Sequence, residues 1–154
     1  MNRIKLRALE KQDQSCTEEM LSDIEVMKYI GSGNAFTPRE ATQWFYNEFE
    51  NPSRFVVADK ISNELIGFCG IKTVGEIADF AYFIRKKFWG NGYATEACIM
   101  TIANLKHSVD FSKVQVFIAA KNCKSLAIAS KLGWQKLNTV TETGEHGTYF
   151  RVCT

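Results

Sequence analysis

The residues Phe88-Trp89-Gly90-Asn91-Gly92-Tyr93-Ala94-Thr95-Glu96-Ala97 carry the clearest chemical signal in the chain. Two glycines in a short turn, followed by good helix formers, put several backbone N–H groups at the start of a helix. Such an arrangement receives an anion, a phosphate above all. Before the turn, Ala78-Asp79-Phe80-Ala81-Tyr82-Phe83-Ile84 reads as a strand. After it, Ala94, Ala97, Cys98, Ile102 and Leu105 share one helical face, in a helix expected to run to about His107. Asn91-Gly92 is also a hairpin-turn signal. A dinucleotide fingerprint needs Gly or Ala where Thr95 stands, and no Gly-Lys-Ser/Thr follows for a Walker loop. On these residues alone, a phosphate-binding turn and a purely structural strand-to-helix connection both stay open.

Other reactive side chains narrow the chemistry by what they lack. Cys16, Cys69, Cys98, Cys123 and Cys153 are widely and unevenly spaced, with no C-x-x-C pair and no His at ligand spacing, so no metal is expected. An odd number of thiols in apolar segments suits a reducing, cytoplasmic setting. Cys98 belongs to a helix core face, and Cys123 to an exposed loop. No Ser-His-Asp or Cys-His pattern suggests an acyl-enzyme, and His107 and His146 read as surface residues.

The elements that must position these residues follow from periodicity and turn chemistry. Ile4, Leu6 and Ala8 alternate with Lys5, Arg7 and Leu9 in an opening strand. Residues 13–29 are helical in character with a break near Leu21-Ser22-Asp23, then a flexible loop at Gly31-Ser32-Gly33-Asn34. Thr37-Pro38-Arg39-Glu40 reads as a capping box with Pro at the first helical position. The helix it opens carries Ala41, Trp44, Phe45 and Phe49 on one face and ends near Asn51-Pro52. Strands follow at 54–58 and 65–71, where Gly67 and Gly70 suggest a bulge or close backbone approach. Beyond the central helix come a strand at 113–120, a helix at 125–132 stopped by Gly133, and a hairpin of 134–140 with 148–152 around Gly144-Glu145-His146-Gly147. This order predicts one α+β (mixed α/β) domain over residues 1–154, with a largely antiparallel sheet and one parallel step across the central helix. A net charge of +2 over 154 residues gives no general attraction to nucleic acid or membrane. No apolar run reaches membrane-spanning length.

That order of elements, with Trp89-Gly90-Asn91-Gly92-Tyr93-Ala94-Thr95-Glu96-Ala97 and Asn122-Cys123-Lys124-Ser125 running on to Lys131-Leu132-Gly133-Trp134, resembles the GNAT family of N-acetyltransferases. Leu6-Arg7-Ala8-Leu9, the stretch from Ser22 to Ile30, and Leu65-Ile66-Gly67-Phe68-Cys69-Gly70 resemble the branch that acetylates ribosomal-protein N-termini. The family's loop usually opens with Arg or Gln. Here Trp89 takes that place, as an aromatic does in this branch. The resemblance implies a splayed, mostly antiparallel sheet and acetyl-CoA as cosubstrate. It implies that backbone N–H groups of Trp89, Gly90, Asn91, Gly92, Tyr93, Ala94 and Thr95 hold the pyrophosphate. It further implies that the main chain of Tyr82, Phe83 and Ile84 pairs with the pantetheine arm, which Asn122 also hydrogen-bonds. Lys86, Lys87 and Lys124 are candidates to screen the phosphates, or plain surface lysines.

Moving an acetyl group from a thioester to an amine requires a neutral amine, a donor for the oxyanion and a proton for the departing thiolate. The resemblance assigns the last step to Ser125, whose other reading is a helix cap, and the oxyanion to an N–H near Phe83 or Ile84. Asp79 is the candidate catalytic or substrate-binding carboxylate, with Glu76 its rival. An ordinary aspartate of pKa about 3.9 is a poor base and needs desolvation or a relaying water. An α-amine of pKa about 8 is neutral in about a tenth of molecules at pH 7, so positioning nearly suffices for it. The acceptor is expected to be a protein N-terminus, a polyamine or another small amine such as an antibiotic, bound through Tyr29 and Phe36. Monomer and homodimer both stay open. The alternative is a non-catalytic acyl-CoA-binding or sensing module with the same fold.

Overall fold

The computed structural model describes residues 2–142 and 144–154. Among them, seven strands hydrogen-bond in the order β1-β2-β3-β4-β5-β7-β6. The strands are β1 (Ile4–Arg7), β2 (Arg54–Asp59), β3 (Leu65–Val74), β4 (Ile77–Ile84), β5 (Val114–Ala119), β6 (Gln135–Glu142) and β7 (Glu145–Arg151). The helices are α1 (Gln14–Leu21), α2 (Ile24–Met27), α3 (Pro38–Glu50), α4 (Tyr93–Leu105) and α5 (Cys123–Lys131). Helices thus accompany a mostly antiparallel sheet, and the one parallel register places Ala78 opposite Val114 and Asp79 opposite Gln115. This is the expected mixed α/β class.

The chain packs as two compact units. The first comprises Met1–Gly70 and Tyr82–Thr101. Its core gathers Met20 and Leu21 of α1, Val26 and Met27 of α2, Ala41 and Phe45 of α3, and Val56, Ala58, Leu65, Phe68 and Phe83 from the strands. The capping box of α3 forms as expected: Glu40 N–H donates to Thr37 Oγ1 at 3.2 Å, and Thr37 N–H to Glu40 Oε1 at 2.9 Å. Asp23 caps α2 by accepting from Glu25 N–H at 3.0 Å. Gly67 is where backbones touch, because a Cβ there would lie 2.2 Å from the Phe83 carbonyl oxygen. The register of β2 on β3 shifts between Val57 and Ala58. Cys69 and Cys98 are both fully buried, and burial, with help from Cys69, pushes the Cys98 thiol up.

The second unit comprises Ile71–Ala81 and Ile102–Thr154. Phe80 meets Trp134 edge to face at 5.7 Å, and Val114, Ile118, Phe150 and Val152 are buried. Gly147 of β7 would drive a Cβ within 2.5 Å of the Ile118 carbonyl oxygen, so it admits the close pairing of β5 and β7.

Several boundaries differ from expectation. The opening strand stops at Arg7, leaving Ala8 and Leu9 outside it, and the Arg7 guanidinium meets buried Asp13 in two bonds of 2.8 Å. Tyr29 follows α2 rather than ending it. The last hairpin is longer and tighter: Glu145, His146 and Gly147 belong to β7, with Glu142 opposite Glu145. All five cysteines are free, and Cys123 is exposed on the first residue of α5. Among the described residues, no helix is long and apolar enough to cross a membrane.

Candidate active site

The turn between β4 and α4 is built by its flanks. Arg85 N–H donates to Ile66 O at 2.8 Å, and one 3-10 turn, Lys86–Phe88, follows. Gly90 and Gly92 then take φ of +80° and +79°, a left-handed conformation that favours glycine. A Cβ on Gly90 would meet nothing within 4 Å, and one on Gly92 would meet Arg3 Nη2 at 3.7 Å. The space beside Gly90 is open, whereas beside Gly92 it is met by Arg3. Glu96 N–H donates to Gly92 O at 3.1 Å, so the α4 ladder begins there. The amides of 93–95 therefore fall in the first turn, where a helix supplies no internal acceptor.

Side chains brace this turn from outside. The Trp89 indole N–H donates to Ile84 O at 2.8 Å, and Asn91 Nδ2 donates to Trp89 O at 3.1 Å. Phe88 and Tyr93, on either side of the turn, meet edge to face at 5.7 Å. Arg85, buried, donates from Nη1 to Glu64 and to Leu65 O, both at 2.9 Å. Lys87 Nζ reaches the same Glu64 carboxylate at 2.8 Å. Hydrogen bonds from Lys87 and then Arg85 hold the Glu64 carboxyl below the usual range. Lys87 therefore has a carboxylate partner within the protein, whereas sequence offered it as a phosphate screen. Arg3 lies over the Tyr93 ring at 4.2 Å and grips Glu96, from Nε at 3.0 Å and Nη2 at 2.9 Å.

Leading into the turn, Tyr82 is half-buried, and Phe83 and Ile84 are buried. The Phe83 ring meets Phe68 at 5.4 Å and Trp44 at 5.9 Å. Phe36 is half-buried against the same core, with its N–H on Leu21 O at 2.9 Å. Tyr29 is half-buried, and its ring receives Lys28 Nζ at 5.5 Å. The first unit thus contains Trp89, Gly90, Asn91, Gly92, Tyr93, Ala94 and Thr95, together with Tyr82, Phe83, Ile84, Tyr29 and Phe36.

The second unit contains Asp79, Asn122 and Ser125. Asp79 is exposed on β4, and Glu76 is exposed in the turn before that strand. Asn122, not Ser125, is the N-cap of α5: its Oδ1 accepts from Ser125 N–H at 3.4 Å. Helix α5 starts two residues earlier than expected, which places Ser125 inside its first turn, half-buried. Ala129 lies buried one turn on. Among the described residues, no group of three or more His, Cys, Asp or Glu side chains is placed to hold a metal.

Arg3, Glu96, Arg85 and Glu64 were not singled out from sequence. Glu96 alone carried a local signal, an acidic residue in a first helical turn. Its partner lies 93 positions away, and nothing near Arg3 announces the pairing.

The likenesses to known proteins agree with this geometry. Residues 3–135 match the family model described as an acetyltransferase (GNAT) domain. An uncharacterized protein of Bacillus subtilis (strain 168), YkkB, is 31% identical over 150 residues, covering 90% of this chain and 86% of that one. An uncharacterized N-acetyltransferase of Bacillus licheniformis, p20, is 27% identical over 144 residues, covering 87% and 80%. The spermidine N-acetyltransferase of Vibrio cholerae, solved with CoA and spermine, superposes with a TM-score of 0.74 at 19% identity, covering 96% and 94%. With a domain match across most of its length, this chain belongs to the GNAT family of acetyltransferases.

Proposed function

We propose that this enzyme moves an acetyl group directly from acetyl-CoA to an amine, the whole chain acting as one catalytic domain. The observation that carries the reading is the turn at 89–92 at the start of α4, whose two glycines are left-handed, Gly90 beside open space and Gly92 beside the Arg3 guanidinium. Backbone N–H groups at a helix start suit a diphosphate, and of the lysines named as phosphate screens Lys87 is paired with Glu64. In this reading the main chain of Tyr82, Phe83 and Ile84 and the Asn122 side chain receive the pantetheine arm. An N–H near Phe83 or Ile84 steadies the oxyanion as the neutral amine attacks the thioester carbonyl. The Ser125 hydroxyl gives its proton to the departing thiolate and regains one, through solvent, from the ammonium nitrogen of the tetrahedral adduct as that adduct collapses to the neutral amide. Asp79 receives or deprotonates the amine, and Tyr29 and Phe36 bind the rest of the acceptor.

The acceptor is proposed to be the α-amine of a protein N-terminus. The sequence resemblance to the ribosomal-protein branch supports this, as does the small base requirement of an amine with pKa about 8. Spermidine, which the name of the Vibrio relative brings in, is the comparison acceptor. Five free thiols favour a cytoplasmic setting. Calorimetry with coenzyme A should show binding to the parent and at least about tenfold weaker binding to Gly92→Glu, which places a carboxylate among the N–H groups. Ser125→Ala should lower kcat about a hundredfold while leaving KM for acetyl-CoA unchanged. Equal coenzyme binding by parent and Gly92→Glu would overturn the reading. Mass spectrometry of an Ala-led peptide against spermidine decides the acceptor.

A further inference from the structure

Glu96 puts a carboxylate in the first turn of the helix whose N–H groups are assigned to a diphosphate. A negative side chain there stabilises the empty helix end but opposes an incoming anion through the same field. The structure gives this carboxylate a specific partner. Arg3 donates its backbone N–H to Glu96 Oε2 at 3.0 Å and its Nε to Oε1 at 3.0 Å, with Nη2 at 2.9 Å from Oε1. The guanidinium lies 4.2 Å from the Tyr93 ring centre, and its Nη2 would stand 3.7 Å from a Cβ on Gly92. Two nitrogens of one planar group converging on a single carboxylate oxygen, beside an aromatic ring, is a geometry available to Arg and not to Lys.

We propose that Arg3 is a positioning residue for coenzyme binding: it neutralises Glu96 and keeps that carboxylate turned away from the diphosphate. Arg3 stays partly exposed, 40% of its side chain, so this is a pair that added salt reaches. The inference rests on the coenzyme reading of the turn. It differs from a purely structural role in predicting that the harm done by losing Arg3 is cured by also losing Glu96. A role in folding alone would make the second loss additive or worse.

Steady-state kinetics on the full chain, varying acetyl-CoA at saturating acceptor, tests it. Arg3→Gln should raise KM for acetyl-CoA about fivefold, with kcat and the acceptor KM unchanged, and added salt should narrow the gap. Arg3→Gln combined with Glu96→Gln should return KM to within about twofold of the parent. Arg3→Lys, which keeps the charge without the planar fork, should fall between parent and Arg3→Gln. A double variant as impaired as Arg3→Gln, or an Arg3→Gln enzyme with the parent's KM, overturns the proposal. If Arg3→Gln does not fold, the double variant and Arg3→Lys still decide: a double variant that folds with the parent's KM supports the proposal, and one with a raised KM overturns it. Calorimetry of the parent with coenzyme A separates the two layers. No uptake overturns the coenzyme reading itself, whereas uptake equal in parent and Arg3→Gln overturns only the role given to Arg3.

Discussion

Glu48, near the end of α3, accepts four hydrogen bonds: from Ser53 N–H at 2.7 Å, Ser53 Oγ at 2.9 Å, Arg54 N–H at 3.0 Å and Arg54 Nη1 at 3.2 Å. Both charges are nearly out of water, and the Arg54 guanidinium is additionally 5.8 Å from the rings of Trp44 and Phe83. Burial lowers the arginine pKa, with Glu48 opposing that shift. Glu48→Ala should therefore cost about 3 kcal/mol in chemical denaturation, because it strands a buried cation as well as freeing two backbone N–H groups. Glu64 has a pH signature. Its depressed pKa makes the folded state gain stability above the ordinary value of 4.5 and lose it as pH falls through the depressed value. Melting temperature in Glu64→Gln should accordingly fall less steeply than in the parent as pH drops below the ordinary glutamate value of 4.5. The glycines at 90 and 92 were legible because turn residues announce themselves locally. Glu48 with Arg54, and Arg3 with Glu96, were not, because ion pairs closed by the fold leave no spacing to read.

Among the elements, α3 was the most legible, since Thr37, Pro38 and Glu40 make both its start and its cap a local matter. Thr37→Ala should lower stability by about 1 kcal/mol, readable as a shift in urea midpoint with unchanged slope. Helix α5 was misread at its start for a physical reason. Asn and Ser are both good caps, and Asn122 and Ser125 stand three apart, so either could be taken as the boundary. The structure resolves the choice by the direction of one bond, from Ser125 N–H to Asn122 Oδ1. In the final hairpin, Gly147 resembles a turn residue in sequence but lies within β7. Its missing side chain instead admits the Ile118 backbone.

At the scale of the whole molecule, mixed helices with one parallel step were readable from element order, since the long central helix dictates the crossover between β4 and β5. Strand order was not, because the pairing of β5 with β7 rather than β6 is set by packing and not by adjacency. Gly67 shows how tightly packing binds distant parts of the first unit. Gly67→Ala should destabilise by about 3 kcal/mol or more, seen as a lost or sharply lowered melting transition, because the added methyl falls on the Phe83 carbonyl. The placement of Cys123 also bears on how the enzyme can be watched. This exposed sulfur opens the same helical turn that contains Ser125, so a thiol-directed fluorophore attached there would place an optical reporter two residues from the proposed proton donor. The same sulfur would consume a disulfide chromogen, giving a background colour that an assay following freed coenzyme must subtract.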